Sequence, residues 1–400
     1  MSRRNVLVGI GGGIAAYKAC GVISTLAKDD TTVRAILSPQ GQRFITPLTV
    51  STLCRHRVYL DDDFWSHAQD SPLHIELADW ADICLIAPLT ANTLAELSHG
   101  FGRSLLENVV LASRTPVLLA PAMNTVMWQQ PVVQRNMENL LADDRYHLIG
   151  PMSGRLACDA VGVGKMAEPE MIVDHLRSLL YTCGKRDFTR KKVLVTAGST
   201  REFMDPVRFI GNPSSGKMGV AIALAAHHRG AEVTLIAGPR VALPTGVAIN
   251  MQQITTADEL RQALGRQFPE TDITIMAAAV GDVRPADCVH HKLPKSQMGR
   301  HLDLAPVPDL IHELSQRKAD RQKLIGFAAQ TGDILPPAQE KLVRKNLDAI
   351  VANPIDQSDA GFNSDHNQAV WLDRQGNQVE LPLMSKLSLA HRILDLTLGL

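Results

Sequence analysis

Along this chain, short apolar runs with strand character alternate with longer stretches of helical period. Residues 6–8 form an apolar strand, a glycine turn follows, residues 14–28 carry helical spacing, and residues 32–37 are rich in β-formers. That order predicts a βαβ opening. Residues 83–87 and 117–120 are apolar on both faces, and each leads into a loop and a helical pattern, as parallel strands buried between helix layers do. The first half therefore predicts a doubly wound sheet.

Residues 182–192 (TCGKRDFTRKK) are polar and basic and lack apolar periodicity, and a fresh strand at 193–196 follows them. A domain boundary is expected there, giving domains 1–188 and 189–400. The second half also starts βαβ. Its strand leads through a polar loop (201–208) to a helical pattern at 215–228 closed by Gly230, and then to a strand at 233–237. Further strands are expected at 273–277, 324–327 and 349–352, and a closing helix near 386–398. No sequence repeat relates the halves.

Composition narrows the classes. The 400 residues are enough for two cores, and 41 lysines and arginines balance 41 aspartates and glutamates, so no global field favours nucleic acid or an anionic membrane. The opening MSRRNVLVGIGGG has too short an apolar run for a secretory or membrane-spanning segment, so a soluble, cytoplasmic protein is expected. The 6 cysteines include no C-x-x-C pair, which speaks against a disulfide framework or a structural zinc site.

Several motifs carry chemistry. The turn Gly9-Ile10-Gly11-Gly12-Gly13-Ile14 lets backbone N–H groups approach a phosphate, although Ile14 stands where a dinucleotide fingerprint needs glycine. Residues 211–218 (GNPSSGKM) have P-loop spacing, but Met218 replaces the hydroxyl residue that holds Mg²⁺; an anion cradle remains. Asn124 and Asp282 each follow a buried strand, at the edge where open α/β sheets bind ligands. His74, Cys158, Lys292, Lys341 and Lys345, taken singly, read equally well as core or surface residues.

Together these segments resemble the bacterial bifunctional phosphopantothenoylcysteine decarboxylase/phosphopantothenate–cysteine ligase family over essentially the whole chain. The first half carries GGGIAAYK (11–18), His74, ADICLIAPLTANT, PAMNTVMW (121–128) and the LAC ending at Cys158. The second carries TAGSTREFMDPVRFIGNPSSGKMG (196–219), AAAVGDVRP (277–285), KLPK (292–295), PDLI (308–311), GFAAQT (326–331) and RKNLDAIVAN (344–353). The resemblance implies a flavodoxin-like flavoprotein domain followed by a Rossmann-like ligase domain. It implies non-covalent FMN, CTP as a substrate, Mg²⁺ without assigned ligands, phosphopantothenate and cysteine as further substrates, and a homo-oligomer of trimeric flavin units and dimeric ligase units.

By the same resemblance, Gly11, Gly12, Ile14, Ser38, Thr90 and Asn92 hold the flavin. His74 is the base of an oxidative step, Asn124 holds the substrate carboxylate, and Cys158 returns a proton. In the ligase half, Asn212 acts on an acyl-cytidylate and Lys292 touches CTP. Met276, Ala277, Ala278, Asp282, Pro308, Asp309, Leu310, Ile311, Phe327, Lys341 and Lys345 fall at nucleotide-contacting positions. The chain departs from the family pattern at Gly11, Asp159, Gly281, Pro294 and Gln330. Retention of His74, Asn124 and Cys158 argues against a non-catalytic flavin-fold binding protein. Retention of Asn212, Lys292 and Asp282 argues against a monofunctional decarboxylase of cysteine-ended peptides.

Residues 211–218 separate two behaviours. A true P-loop puts Lys217 on the β- and γ-phosphates, so Lys217→Ala abolishes nucleotide binding and Asn212→Asp matters little. The ligase resemblance predicts that Asn212→Asp still releases pyrophosphate from CTP and phosphopantothenate while cysteine addition slows. Pyrophosphate release and accumulated acyl-cytidylate, measured in parallel, decide between them.

Overall fold

The structure is a computed structural model that describes residues 4–29, 31–66, 71–157, 159–295, 301–355 and 364–400. The chain divides into two compact units, one up to Lys185 that also takes in Pro244–Val247, the other Arg186–Leu243 with Ala248–Leu400.

Among the described residues of the first unit, the sheet is built from β1 (Arg4–Ile10), β2 (Thr31–Leu37), β3 (Val58–Tyr59), β4 (Ile83–Leu89), β5 (Val117–Pro121) and β6 (Tyr146–Leu148), in the order β3-β2-β1-β4-β5-β6. All its pairings are parallel. Without the two-residue β3, the order is the flavodoxin-like 2-1-3-4-5. Side chains alternate between the faces. Val6, Val8, Ile10, Leu85 and Ala87 pack on the helices Ala16–Leu26 and Pro169–Thr182. Leu7, Cys84, Ile86 and Leu119 pack on Leu73–Trp80, Leu105–Ala112 and Pro131–Leu141. Covering both faces buries β4 and β5 along their full length, which explains their unbroken apolar runs. An antiparallel hairpin, β7 (Met152–Arg155) and β8 (Val161–Lys165), stands apart from this sheet.

In the second unit the main strands are β9 (Lys192–Ala197), β12 (Glu232–Ala237), β13 (Asn250–Gln253), β14 (Ile273–Met276), β17 (Lys323–Gln330), β18 (Ala349–Pro354), β19 (His366–Asp373) and β20 (Gln378–Ser385). Their order is β13-β12-β9-β14-β17-β18-β19-β20, with β19 and β20 antiparallel at one edge. The first six follow the doubly wound 3-2-1-4-5-6 order, whose topological switch lies between β9 and β14. The remaining strands among the described residues form two small hairpins, β10 (Arg201–Phe203) with β11 (Phe209–Gly211) and β15 (Val283–Pro285) with β16 (Leu304–Pro306). The sequence pattern predicts a loop at 201–208, yet this stretch enters a hairpin. The fully buried Asp205 organises its turn by accepting from the backbone N–H groups of Val207 and Arg208, both at 2.8 Å. Polarity there marks a satisfied turn, which hydrophobic periodicity cannot distinguish from open loop.

One buried cation ties the second unit together. Arg229, 2% exposed, forks onto Asp187 at 2.7 and 2.6 Å, pairs with Asp395 at 2.8 Å and lies over the Phe188 ring. The residues before β9, the end of the helix Lys217–His228 and the helix Lys386–Leu398 are thereby joined. His391 sits in this cluster, and burial, reinforced by Arg229, pushes its pKa down to about 4. Between that value and the ordinary histidine range, the unfolded chain takes up a proton that the folded chain refuses. Stability therefore rises with pH across the window and is lost as pH falls towards 4, by at most about 1.4 kcal/mol per unit from this group. Thermal unfolding of the second unit between pH 7 and 4.5 should be less pH-dependent in His391→Gln; an unchanged slope contradicts this origin.

Candidate functional site

In the first unit, the carboxyl ends of β1, β2 and β4 converge. A Cβ added to Gly11 would lie 2.4 Å from the Pro88 carbonyl oxygen, and one added to Gly12 would lie 2.2 Å from Cβ of Gln40. Glycine is thus required at both places for the loops after β1, β2 and β4 to touch. This gives a physical reason for the departure at Gly11. Ser38 belongs to the same convergence and accepts from the Gly41 N–H at 3.0 Å. Thr90 caps the helix Ala91–Ser98, on which Asn92 is the second residue.

A cavity of about 670 Å³ adjoins these loops, lined by Ile14, Tyr17, Lys18, Asn124, Arg155 and Lys165 among others. Asn124 accepts from the Val126 N–H at 2.8 Å and caps a short helix directly after β5. Lys18, 8% exposed, reaches Glu168 at 2.9 Å, and Lys165 reaches the same carboxylate at 2.7 Å. The hydrogen bond from Lys165, then that from Lys18, holds the Glu168 pKa below the ordinary glutamate range, so the wall stays charged at neutral pH. Tyr17 and Lys18 close the GGGIAAYK motif, and helical spacing from Ile14 was the available sign that they share its wall.

His74 is the second residue of the helix Leu73–Trp80, where the sequence pattern offered only a position ahead of a strand. It packs edge-on against Phe64, and its buried Nδ1 has no hydrogen-bond partner among the described residues. His74 is not among the residues lining the cavity that holds Asn124. Cys158 lies outside the described residues. Beside it Asp159 takes a left-handed φ of 62°, the conformation glycine adopts most freely, and bonds Arg155 Nε at 3.0 Å.

In the second unit, the loops after β9 and β14 are stitched together. Ala278 N–H donates to Thr196 Oγ1 at 3.1 Å, Gly281 N–H donates to Thr200 Oγ1 at 3.2 Å, and Asn212 Nδ2 donates to the Val280 carbonyl at 3.3 Å. Beyond them opens a cavity of about 600 Å³. It gathers Asn212, Met276, Ala278, Asp282, Phe327, Lys341 and Lys345, together with Pro308, Asp309, Leu310 and Ile311. Lys345 pairs with Asp309 at 3.0 Å on its rim. Ala277 lines a smaller neighbouring cavity.

Lys292 lies exposed and lines neither cavity. Its neighbour Leu293 is anchored, donating its N–H to Asp205 Oδ2 at 3.3 Å and accepting from Arg208 at 3.0 Å. Burial alone would raise the pKa of Asp205, but its three backbone donors and Arg208 outweigh burial and hold it below the usual carboxylate value. Among the described residues, no group of three or more histidine, cysteine, aspartate or glutamate side chains is arranged to hold a metal ion. No helix among them is long and apolar enough to cross a membrane.

Comparison with known proteins places these features in context. Residues 1–181 match a family model described as flavoprotein, and residues 188–399 one described as DNA/pantothenate metabolism flavoprotein C-terminal domain. The coenzyme A biosynthesis bifunctional protein CoaBC of Bacillus subtilis (strain 168) is 42% identical over 397 residues, 99% of this chain and 97% of that protein. Its counterpart from Vibrio cholerae serotype O1 is 39% identical over 99% of this chain and 98% of that protein. A crystal structure of the C-terminal domain of a coenzyme A biosynthesis bifunctional protein CoaBC is 36% identical, covering 53% of this chain and 96% of that one, with a TM-score of 0.45.

Proposed function

The chain belongs to the family of coenzyme A biosynthesis bifunctional proteins, and from that premise we propose which of its residues carry out the two reactions. It is a bifunctional enzyme, a phosphopantothenate–cysteine ligase and a phosphopantothenoylcysteine decarboxylase. We assign decarboxylation to residues 1–188 and ligation to residues 189–400.

A single observation carries the ligase assignment: one cavity gathers Asn212, Asp282, Phe327 and the pair Lys341 and Lys345 from four separate segments of the chain. A carboxylate at neutral pH resists attack by an amine, and transfer of CMP from CTP turns it into a mixed anhydride with a good leaving group. Lys341 and Lys345 counter the charge that builds up on the phosphates, and Lys292 adds to this from the anchored segment 292–295. Asn212, its amide on Val280, faces the anhydride and assists the step in which cysteine replaces CMP. Mg²⁺ accompanies the triphosphate.

The first unit suits FMN. Its glycine loop carries no side chains to screen the backbone from a phosphate, and the buried Nδ1 of His74 has no hydrogen-bond partner among the described residues. Gly11, Gly12, Ile14, Ser38, Thr90 and Asn92 would hold the cofactor. When bound, FMN supplies the reversible two-electron sink that loss of CO₂ from a cysteinyl carboxylate requires. His74 takes a proton from the cysteinyl unit, Asn124 orients the departing carboxylate, and Cys158 delivers a proton to the enethiol carbon. From the family resemblance we further infer that copies of the chain combine, the flavin units as trimers and the ligase units as dimers. The setting we infer is the cytoplasm.

Purified protein should be yellow and release FMN on denaturation. His74→Asn should yield no CO₂, whereas Cys158→Ala should decarboxylate once per flavin and then stall with reduced FMN. Rapid-quench CO₂ measurement alongside flavin absorbance checks both. Normal turnover by Cys158→Ala would make the thiol a structural residue.

A further inference from the structure

Glu202 on β10 is 5% exposed, and a Cβ added to Gly281 would lie 3.8 Å from its Cγ, so its stem runs against the loop after β14. Gly281 lines the larger cavity and Glu202 does not. Glu202 Oε1 accepts from the Ala257 N–H at 2.9 Å, the first amide of the eleven-residue helix Ala257–Gln267. That helix caps itself through Thr256, which accepts from the Glu259 N–H at 3.2 Å, while Glu259 accepts from the Thr255 N–H at 2.6 Å. The Ala257 amide needs a partner from elsewhere, and Glu202 supplies it. Among the described residues, no cation pairs with Glu202 and its side chain makes no other hydrogen bond. The positive end of the helix offsets only part of the cost of burying such a carboxylate, and a neutral side chain would fill the position at less cost.

What the carboxylate holds is the root of a hairpin. Arg201 N–H donates to the Thr255 carbonyl at 2.8 Å and Thr200 N–H to the Ala279 carbonyl at 3.2 Å, so β10 leaves from between the helix and the loop after β14. Within the hairpin Glu202 stands opposite Ile210 and Arg201 opposite Gly211. A Cβ added to Gly211 would lie 2.7 Å from the Thr200 carbonyl oxygen, so β11 is in close contact with the start of β10. The next residue along is Asn212, whose Nδ2 donates to the Val280 carbonyl at 3.3 Å. Phe327 is on β17, and Lys341 and Lys345 stand at the end of the helix Leu335–Arg344. A displaced hairpin therefore moves Asn212 without moving them.

We infer that Glu202 is a positioning residue for the step in which cysteine replaces CMP: it fixes the hairpin root against the helix Ala257–Gln267 and, through β11, sets where the Asn212 amide points. The inference rests on Asn212 acting at the acyl-cytidylate. A misplacement of about 1 Å at a reacting centre costs up to about 100-fold in rate, so an anchor that never touches substrate still governs this step.

The test compares the full-length enzyme with Glu202→Ala, Glu202→Asp, Glu202→Gln, Asn212→Asp and the double variant Glu202→Ala/Asn212→Asp, each well below its melting temperature. Rapid quench measures pyrophosphate release from CTP and 4'-phosphopantothenate, and separately the loss of acyl-cytidylate when cysteine is added. Glu202→Ala should slow cysteine addition about tenfold or more and leave pyrophosphate release within about twofold. Glu202→Gln keeps the acceptor and the size, and should restore cysteine addition to within about threefold. Glu202→Asp withdraws the carboxylate by one methylene, should behave as Glu202→Ala does, and carries the test should Glu202→Ala fail to fold; retained decarboxylase activity and flavin absorbance report an intact chain. The double variant should be no slower in cysteine addition than Asn212→Asp, because both changes act through one amide. Normal cysteine addition by Glu202→Ala and Glu202→Asp, equal slowing of both steps, or effects that multiply in the double variant overturn the positioning role. If Asn212→Asp is slow in that outcome, the assignment of Asn212 stands; if Asn212→Asp adds cysteine at the normal rate, that assignment falls and the role of Glu202 with it.

Discussion

Thr196 and Thr200 are fully buried, and their hydroxyls accept from the amides of Ala278 and Gly281, so the loop after β14 hangs on the strand and loop of β9. Each such bond is worth about 1 kcal/mol net, but leaving either hydroxyl or amide buried and unmatched costs more, so the register between the loops is sharply defined. Parallel pairing of β9 with β12 on one side and β14 on the other fixes where these loops emerge. The crevice beyond them is the larger cavity, and Asp282 reaches it because this stitch sets the direction of residues 277–282. The first unit obeys a related constraint in a different form, since there close packing at Gly11 and Gly12 brings the loops together.

Charge is arranged on top of that frame. In the ligase half, carboxylates near the cavities serve mainly as anchors: Asp205 fixes a turn and Leu293, and Asp309 holds Lys345 on the rim. Lysines line both cavities, Lys341 and Lys345 the larger and Lys386 the smaller. A net charge of +0 for the chain therefore conceals a local excess of positive charge, which is what recognition of an anion needs. In the flavin half, Glu168 shared by Lys18 and Lys165 keeps one wall of the cavity charged and ordered.

Much of this was legible in the sequence. Strands such as Ile83–Leu89, and the closing helix Lys386–Leu398, stood out because burial on both faces, or on one helical face, leaves an unmistakable periodicity. The hairpin Arg201–Gly211 did not, because its order comes from a buried aspartate that composition registers only as polarity. The helix carrying His74 was missed as well; at eight residues it is too short for its period to emerge. Motif order singled out Asn212, Asp282 and Phe327, which line the larger cavity together. Asn367 and Lys386, which line the smaller cavity, did not stand out, since a polar residue on an edge hairpin and a lysine at a helix start look like solvent-facing positions until the strands β18 and β19 are paired.

The two halves are coupled by chemistry, for the ligase product is the decarboxylase substrate. The most direct measurement supplies the purified protein with 4'-phosphopantothenate, cysteine and CTP and follows pyrophosphate, CO₂ and 4'-phosphopantetheine together. The account predicts that all three appear in equal amounts and that ATP supports far less of each than CTP. Pyrophosphate without CO₂, CO₂ only from added phosphopantothenoylcysteine, or equal turnover with ATP would contradict it.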